Sequence, residues 1–136
     1  MNFSFTEEQN KFRQEVRNFL EEEVKKGYWK PACDAWIQGF DPAFTKRVAQ
    51  RGWIGLTWPK EYGGQDIGAV EELILREIQG YYRVPRLNWA GNLVVSALLK
   101  HGTEEQKREF LPKILDGEYI FCQAWSEPDA GSDLAA

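Results

Sequence analysis

The sequence contains few of the residues from which catalytic and metal sites are usually built. Its 136 residues include one histidine, His101, and two cysteines, Cys33 and Cys122. The cysteines lie far apart and show neither a metal-ligand spacing nor a Cys-x-x-Cys pair, so we predict two reduced thiols. A lone histidine in the last turn of a helix usually complements the helix dipole. We therefore expect no catalytic residue and no metal ligand in this chain.

The sequence also lacks an excess of positive charge and a long apolar run. The net charge is −4, and acidic and basic residues are interspersed, which argues against a nucleic-acid partner. No apolar run approaches the roughly 18 residues that span a bilayer. Residues 1–7 contain neither the basic nor the apolar region of a secretory signal. These absences predict a soluble, cytoplasmic protein that does not bind membranes.

What the sequence does contain is a series of helix boundaries. Thr6–Gln9 and Thr103–Gln106 are capping boxes, in which two side chains bind the free backbone amides of one helix start. Asp41 followed by Pro42 predicts the start of another helix. With no repeat, linker or low-complexity tract, residues 1–117 are predicted to form one compact helical layer of an all-α fold.

Apolar residues at helical spacing predict which face of each helix is buried. Residues 53–64 instead mix aromatics with turn residues and are expected to form an ordered loop. Pro112 is expected to break or kink the last helix, because proline lacks the N–H of an internal helical hydrogen bond. The predicted core positions are Phe12, Val16, Phe19, Leu20 and Val24; Phe44 and Val48; Val70, Leu73, Ile74 and Ile78; and Val94, Ala97, Leu98 and His101.

The last predicted elements are a strand over residues 119–125 and a polar turn over residues 126–133. Aromatic and β-branched residues favour the strand. Pro128 and Gly131 favour a sharp turn, in which the glycine can take a positive φ and let a ligand approach the backbone. A single strand cannot satisfy its own backbone groups, so the chain is expected to be the front part of a larger protein.

The turn also carries two hydroxyls, from Ser126 and Ser132. Hydroxyls and backbone amides suit a polar ligand, either phosphate-bearing or heteroaromatic. The alternative is that the segment is only a turn, since its composition is ordinary for one. No Gly-x-Gly-x-x-Gly turn, Walker loop or His-Glu-x-x-His motif accompanies it.

Four segments resemble the amino-terminal part of the acyl-CoA dehydrogenases, in the family's order and at compatible spacing over essentially the whole chain. The resemblance implies an amino-terminal helical domain over residues 1–117 and the start of a middle β-domain over residues 118–136. Residues 121–125 are similar to a bacterial subset that includes large subunits of heteromeric enzymes acting on pimeloyl-CoA-like or steroid-side-chain CoA esters. The four segments are Pro59–Gly64, Gly102–Lys107, Phe110–Lys113 and Ser126–Asp133.

The resemblance also implies a chemistry. In this family a base removes the α-proton of an acyl-CoA thioester while hydride passes from Cβ to N5 of FAD, and an electron-transfer flavoprotein reoxidises the flavin. Ser126 would contact the pyrimidine edge of the flavin, Gly131 would allow close backbone approach, and Ser132 would also lie near the CoA substrate. The implied cofactor-binding residues are Gln123, Ala124, Trp125, Ser126, Gly131 and Ser132.

The family's catalytic glutamate and second flavin segment have no counterpart in these 136 residues. The resemblance therefore implies a fragment that is inactive alone, does not retain FAD and belongs to a homo- or hetero-oligomer. Two alternatives remain open. One is a non-catalytic helical module that docks through its exposed strand edge. The other is a fragment of an acyl-CoA oxidase or flavin monooxygenase of the same fold.

Overall fold

The computed structural model describes residues 4–31, 33, 40–85, 87, 89–122, 124, 126–128 and 130–133. These ranges contain no sheet, and their strand-like pairing is an isolated antiparallel bridge between Glu127 and Ala130. The predicted all-α fold class is confirmed. The helices are α1 (Glu7–Lys25), α2 (Pro42–Gln50), a 3₁₀ helix (Lys60–Tyr62), α3 (Ala69–Tyr82), α4 (Trp89–His101) and α5 (Glu104–Leu115).

Both predicted capping boxes are present. The Thr6 hydroxyl accepts from the Gln9 N–H at 3.2 Å, and the Thr6 N–H donates to the Gln9 side chain at 3.0 Å. Thr103 and Gln106 repeat the arrangement at 3.2 and 2.9 Å. The second box begins one residue after Gly102, so α4 ends and α5 begins within two residues.

α2 also begins and ends where the sequence predicts. The Asp41 carboxylate accepts from the Phe44 N–H at 2.9 Å, and Pro42 occupies the first turn. After the helix, Gly52 takes a φ of +71°, a left-handed conformation that strongly favours glycine. The loop that follows therefore turns back onto the helices.

One core joins α1, α2, α3 and the loop after α2. Phe19 packs edge-on against Trp53 with ring centroids 5.2 Å apart, and Trp29 contacts Phe44 at 4.9 Å. The loop is thus anchored by its aromatic side chains, as predicted. The buried residues of this first core are Val16, Phe19, Leu20, Phe44, Val48, Trp53, Leu56, Ile74, Leu75 and Ile78.

A buried ion pair crosses between α1 and α2 beside the first core. Glu23 is 2% exposed, and its Oε2 lies 2.5 Å from Nε of Arg47. The Arg47 guanidinium also stacks 4.2 Å from the ring centroid of Tyr28. Nη2 of the same arginine is buried and has no hydrogen-bond partner among the described residues. The pair therefore fixes the two helices relative to each other with one donor left unsatisfied.

A second core joins α4, α5 and the 3₁₀ helix, and consists of Trp58, Val95, Leu111 and Ile114. The Pro59–Gly64 segment packs against Trp58 of this core. A Cβ on Gly64 would lie 2.1 Å from the Trp58 carbonyl oxygen, which no side chain tolerates. The two glycines of this motif are explained by this packing, since Gly63 has a φ of +87° and Gly64 has no room for a side chain.

The predicted core face of α3 is partly wrong. Ile74 and Ile78 are buried, but Val70 is 41% and Leu73 64% exposed, and Leu75 is buried instead. The helix is apolar on more than one side, so a spacing of three and four residues fits two different faces. Packing against α1 selects the face that carries Leu75. Val70, Leu73 and the exposed Tyr81 form what we call the α3 outer surface.

The predicted face of α4 is also partly wrong. Val95, which the sequence did not single out, is buried, whereas Ala97 and His101 are exposed. Val94 and Leu98 are half-buried. The helix is apolar on most sides, so the sequence alone does not define the side that faces α5.

Of the predicted break or kink at Pro112, the break is wrong, because α5 runs without interruption from Glu104 to Leu115, and the kink stays a prediction. Leu111, directly before the proline, and Ile114, two positions after it, are both buried in the second core. Burying two such side chains contributes about 1.5–3 kcal/mol each. A proline inside a helix costs about 3 kcal/mol. Tertiary packing therefore offsets the local penalty.

Candidate functional site

The candidate site lies at the end of the chain, and α5 positions its first residues. Gly117 ends the helix with a φ of +68°, and a Cβ there would lie 2.8 Å from the Thr45 side chain. The next two amides, of Glu118 and Tyr119, both donate to the Lys113 carbonyl, at 2.9 and 3.2 Å. The backbone therefore leaves α5 directed back along that helix.

Side-chain contacts then hold the departing segment on α5. Nζ of Lys113 donates to the Tyr119 hydroxyl at 2.8 Å and lies 4.7 Å from the centroid of that ring. The hydrogen bond to Tyr119 raises the pKa of the Lys113 ammonium above its usual range. The Phe110 ring packs on Tyr119 as well, at 6.1 Å between centroids. We call residues 119–121 the tether, because they connect α5 to the turn.

The predicted strand over residues 119–125 is not paired with another strand in its described residues, which are 119–122 and 124. Its side chains nevertheless alternate as in a strand. Tyr119 and Phe121 pack against the second core, whereas Ile120 is 58% exposed and Cys122 is exposed. An unaccompanied segment of this kind has a packed face but no ladder of hydrogen bonds.

The predicted sharp turn is present. The Glu127 N–H donates to the Ala130 carbonyl at 2.7 Å, and the Ala130 N–H donates back to the Glu127 carbonyl at 3.3 Å. This reciprocal pair brings the flanking positions together, because a Cβ on Gly131 would lie 3.7 Å from the Ser126 hydroxyl oxygen. Ser126 is exposed, so its hydroxyl is accessible from outside the turn.

The structure describes four of the six predicted flavin-binding residues. It brings Ser126 and Gly131 together, and Ser132 follows directly and is exposed. Ala124 is exposed before the turn. The other two predicted residues, Gln123 and Trp125, lie outside the described residues. Of the predicted set, the structure therefore brings together Ser126 and Gly131.

Gly131 has an ordinary backbone conformation. Its φ does not fall in the left-handed region, unlike those of Gly63 and Gly117, so the expected positive φ is wrong. A Cβ at this position would make only ordinary van der Waals contact with Ser126. No described residue of the turn therefore requires glycine at this position. The other explanation, close approach of a ligand to the backbone, stays a prediction.

A separate cleft among the described residues lies away from the turn. Its volume is about 580 Å³, and it lies between the end of α2, the 3₁₀ helix and α5, with Arg51, Lys107 and Arg108 among its lining. Lys107 is paired with Glu104 at 3.0 Å, and the Tyr62 hydroxyl donates to the same carboxylate at 3.1 Å. Lys107 and Tyr62 together lower the pKa of Glu104. No described residue of the turn lines this cleft, but residues of the segments Pro59–Gly64, Gly102–Lys107 and Phe110–Lys113 do.

Among the described residues, no group of three or more His, Cys, Asp or Glu side chains is arranged to hold a metal ion. No described helix combines the length and apolar character needed to cross a membrane.

Comparison with known proteins identifies the fold to which these elements belong. The sequence pattern of the family "Acyl-CoA dehydrogenase, N-terminal domain" matches residues 6–118, which include every described helix but not the turn. The chain is 34% identical to acyl-CoA dehydrogenase FadE26 of Mycobacterium tuberculosis over 139 aligned residues. That alignment covers 99% of this chain and 35% of the relative.

Solved structures give the same result. The structure described as Tcur3481-Tcur3483 steroid ACAD superposes with a TM-score of 0.83 and 31% identity, covering 100% of this chain and 36% of the other. The ChsE4-ChsE5 complex from Mycobacterium tuberculosis superposes with a TM-score of 0.78 and 32% identity, covering 99% and 34%. The chain thus spans about a third of the length of the proteins it matches.

Proposed function

Since the chain belongs to the acyl-CoA dehydrogenase family, we propose that it supplies a helical wall of the substrate channel and the first flavin-binding turn of an FAD-dependent acyl-CoA dehydrogenase. The family reaction is the α,β-dehydrogenation of an acyl-CoA thioester, in which FAD accepts the hydride. The helical part of the proposal is residues 1–117. Residues 118–136 are proposed to begin the middle β-domain.

One observation carries the flavin-binding proposal, namely the pairing of Ser126 with Gly131 across the turn. The Glu127–Ala130 bridge presents an exposed hydroxyl beside a backbone position that has no side chain. A Cβ on Gly131 would make only ordinary contact with the described residues of the turn, whereas a flat ligand that rests on the backbone would favour glycine there. The turn therefore fits the polar edge of a planar ring system such as the flavin.

The chain's own residues would act by binding and orientation. The Ser126 hydroxyl both donates and accepts hydrogen bonds, so it suits the alternating carbonyl and N–H groups of the pyrimidine edge. Ser132 is exposed and directly follows Gly131 in the chain, and it is proposed to contact the CoA portion of the substrate. Gln123, Ala124 and Trp125 are proposed to complete the flavin contact through the backbone before the turn.

The 136-residue chain is proposed to be inactive alone and not to retain FAD during purification. About two thirds of each relative has no counterpart in these residues. The turn would contact only one edge of FAD and would bury little of its surface, whereas small-molecule sites typically bury 70–90% of a drug-sized ligand's surface. We estimate a dissociation constant on the order of 1 mM for FAD, which corresponds to about −4 kcal/mol.

An electron-transfer flavoprotein and a second dehydrogenase subunit are the proposed protein partners. The second is supported by the likeness to the ChsE4-ChsE5 complex, which is described as an assembly of two different chains. The likeness to a steroid dehydrogenase supports a bulky CoA ester as substrate in the same way.

The flavin proposal is tested by an NMR titration of the chain with FAD. We expect amide shift changes at Ser126, Gly131 and Ser132, and Ser126→Ala should weaken binding about 2- to 10-fold, the effect of one lost hydrogen bond of about 0.5–1.5 kcal/mol. Ser96→Ala is the control, because Ser96 is exposed on α4 and its hydroxyl donates to the Asn92 carbonyl.

Three outcomes would contradict this proposal. One is a set of shift changes confined to the cleft between α2 and α5, and another is an FAD affinity that Ser126→Ala leaves unchanged. The third concerns inactivity: a yellow preparation that reduces a dye when acyl-CoA is added would show that the chain binds flavin and catalyses by itself.

A further inference from the structure

We draw no further inference here: the strongest candidate, the α3 outer surface of Val70, Leu73 and Tyr81, is an unpartnered apolar patch, and nothing in the structure shows what covers it.

Discussion

Replacing Arg47 by leucine is expected to destabilise the chain strongly, because Glu23 would then be a buried carboxylate without a partner. Glu23 is 2% exposed, and Arg47 lies 2.5 Å away with its guanidinium stacked on Tyr28. Removing one partner of a buried ion pair costs about 3–5 kcal/mol. The total stability of a domain is about 5–15 kcal/mol, so the loss would be readily visible in urea denaturation.

The double variant Glu23→Leu with Arg47→Leu distinguishes the charge effect from the packing effect. Replacing both members of a buried pair by apolar residues is often neutral or stabilising by about 1–4 kcal/mol. The buried Nη2 of Arg47 favours that result here, because no described residue of the wild-type chain accepts a hydrogen bond from it. We therefore expect the double variant to recover most of the stability that Arg47→Leu loses.

The exposed pair between Arg51 and Glu15 provides the matched control. Its atoms are 3.3 Å apart, and the two side chains are 45% and 53% exposed. Glu15→Gln should change the free energy of unfolding by less than about 1 kcal/mol. The reasoning is refuted if Arg47→Leu costs no more than this control, or if the double variant is as unstable as the single one.

Three further predictions concern the motif glycines and the tether. Gly64→Ala should destabilise the chain by more than about 2 kcal/mol, because the added Cβ would meet the Trp58 carbonyl. A clash that the backbone must relieve typically costs about 1–3 kcal/mol or more. Thermal unfolding checks this prediction, and an unchanged Tm would contradict it. Gly131→Ala should leave Tm unchanged yet weaken FAD binding in the NMR titration, whereas a lowered Tm would assign the glycine to the fold. The raised pKa of Lys113 means that its contact with Tyr119 stabilises the tether below the ordinary lysine pKa and is lost as pH rises through the raised value. Tyr119 ring resonances followed against pH test the sign when they are compared with those of Lys113→Met, which lacks the ammonium.

The features that the sequence predicted correctly are those encoded by neighbouring residues. The capping box at Thr103 and the turn closed between Glu127 and Ala130 depend on side chains and backbone groups within three or four positions. Such contacts require no knowledge of the rest of the fold. The family resemblance rests on the same local motifs, and the comparisons confirm it.

The features that the sequence did not predict depend on contacts between distant elements. Leu73 and Leu75 are equally apolar, and only the position of α1 decides that Leu75 is the buried one. The helix through Pro112 persists because of burial in the second core, which no local rule contains. The residue types of the turn likewise do not identify its ligand, because a serine beside a glycine suits many polar ligands.

The packing of the tether has a consequence for the energetics of the turn. Tyr119 and Phe121 belong to the same apolar cluster as Val95, a residue of α4 more than twenty positions earlier in the chain. Detaching the tether exposes part of that cluster, so the free energy of local opening of the tether depends on the same contacts that stabilise α4. Val95→Ala should therefore accelerate amide hydrogen exchange in the tether as well as in α4. The placement of the Ser126 hydroxyl would in this way depend on the stability of α4, a helix that ends well before the turn.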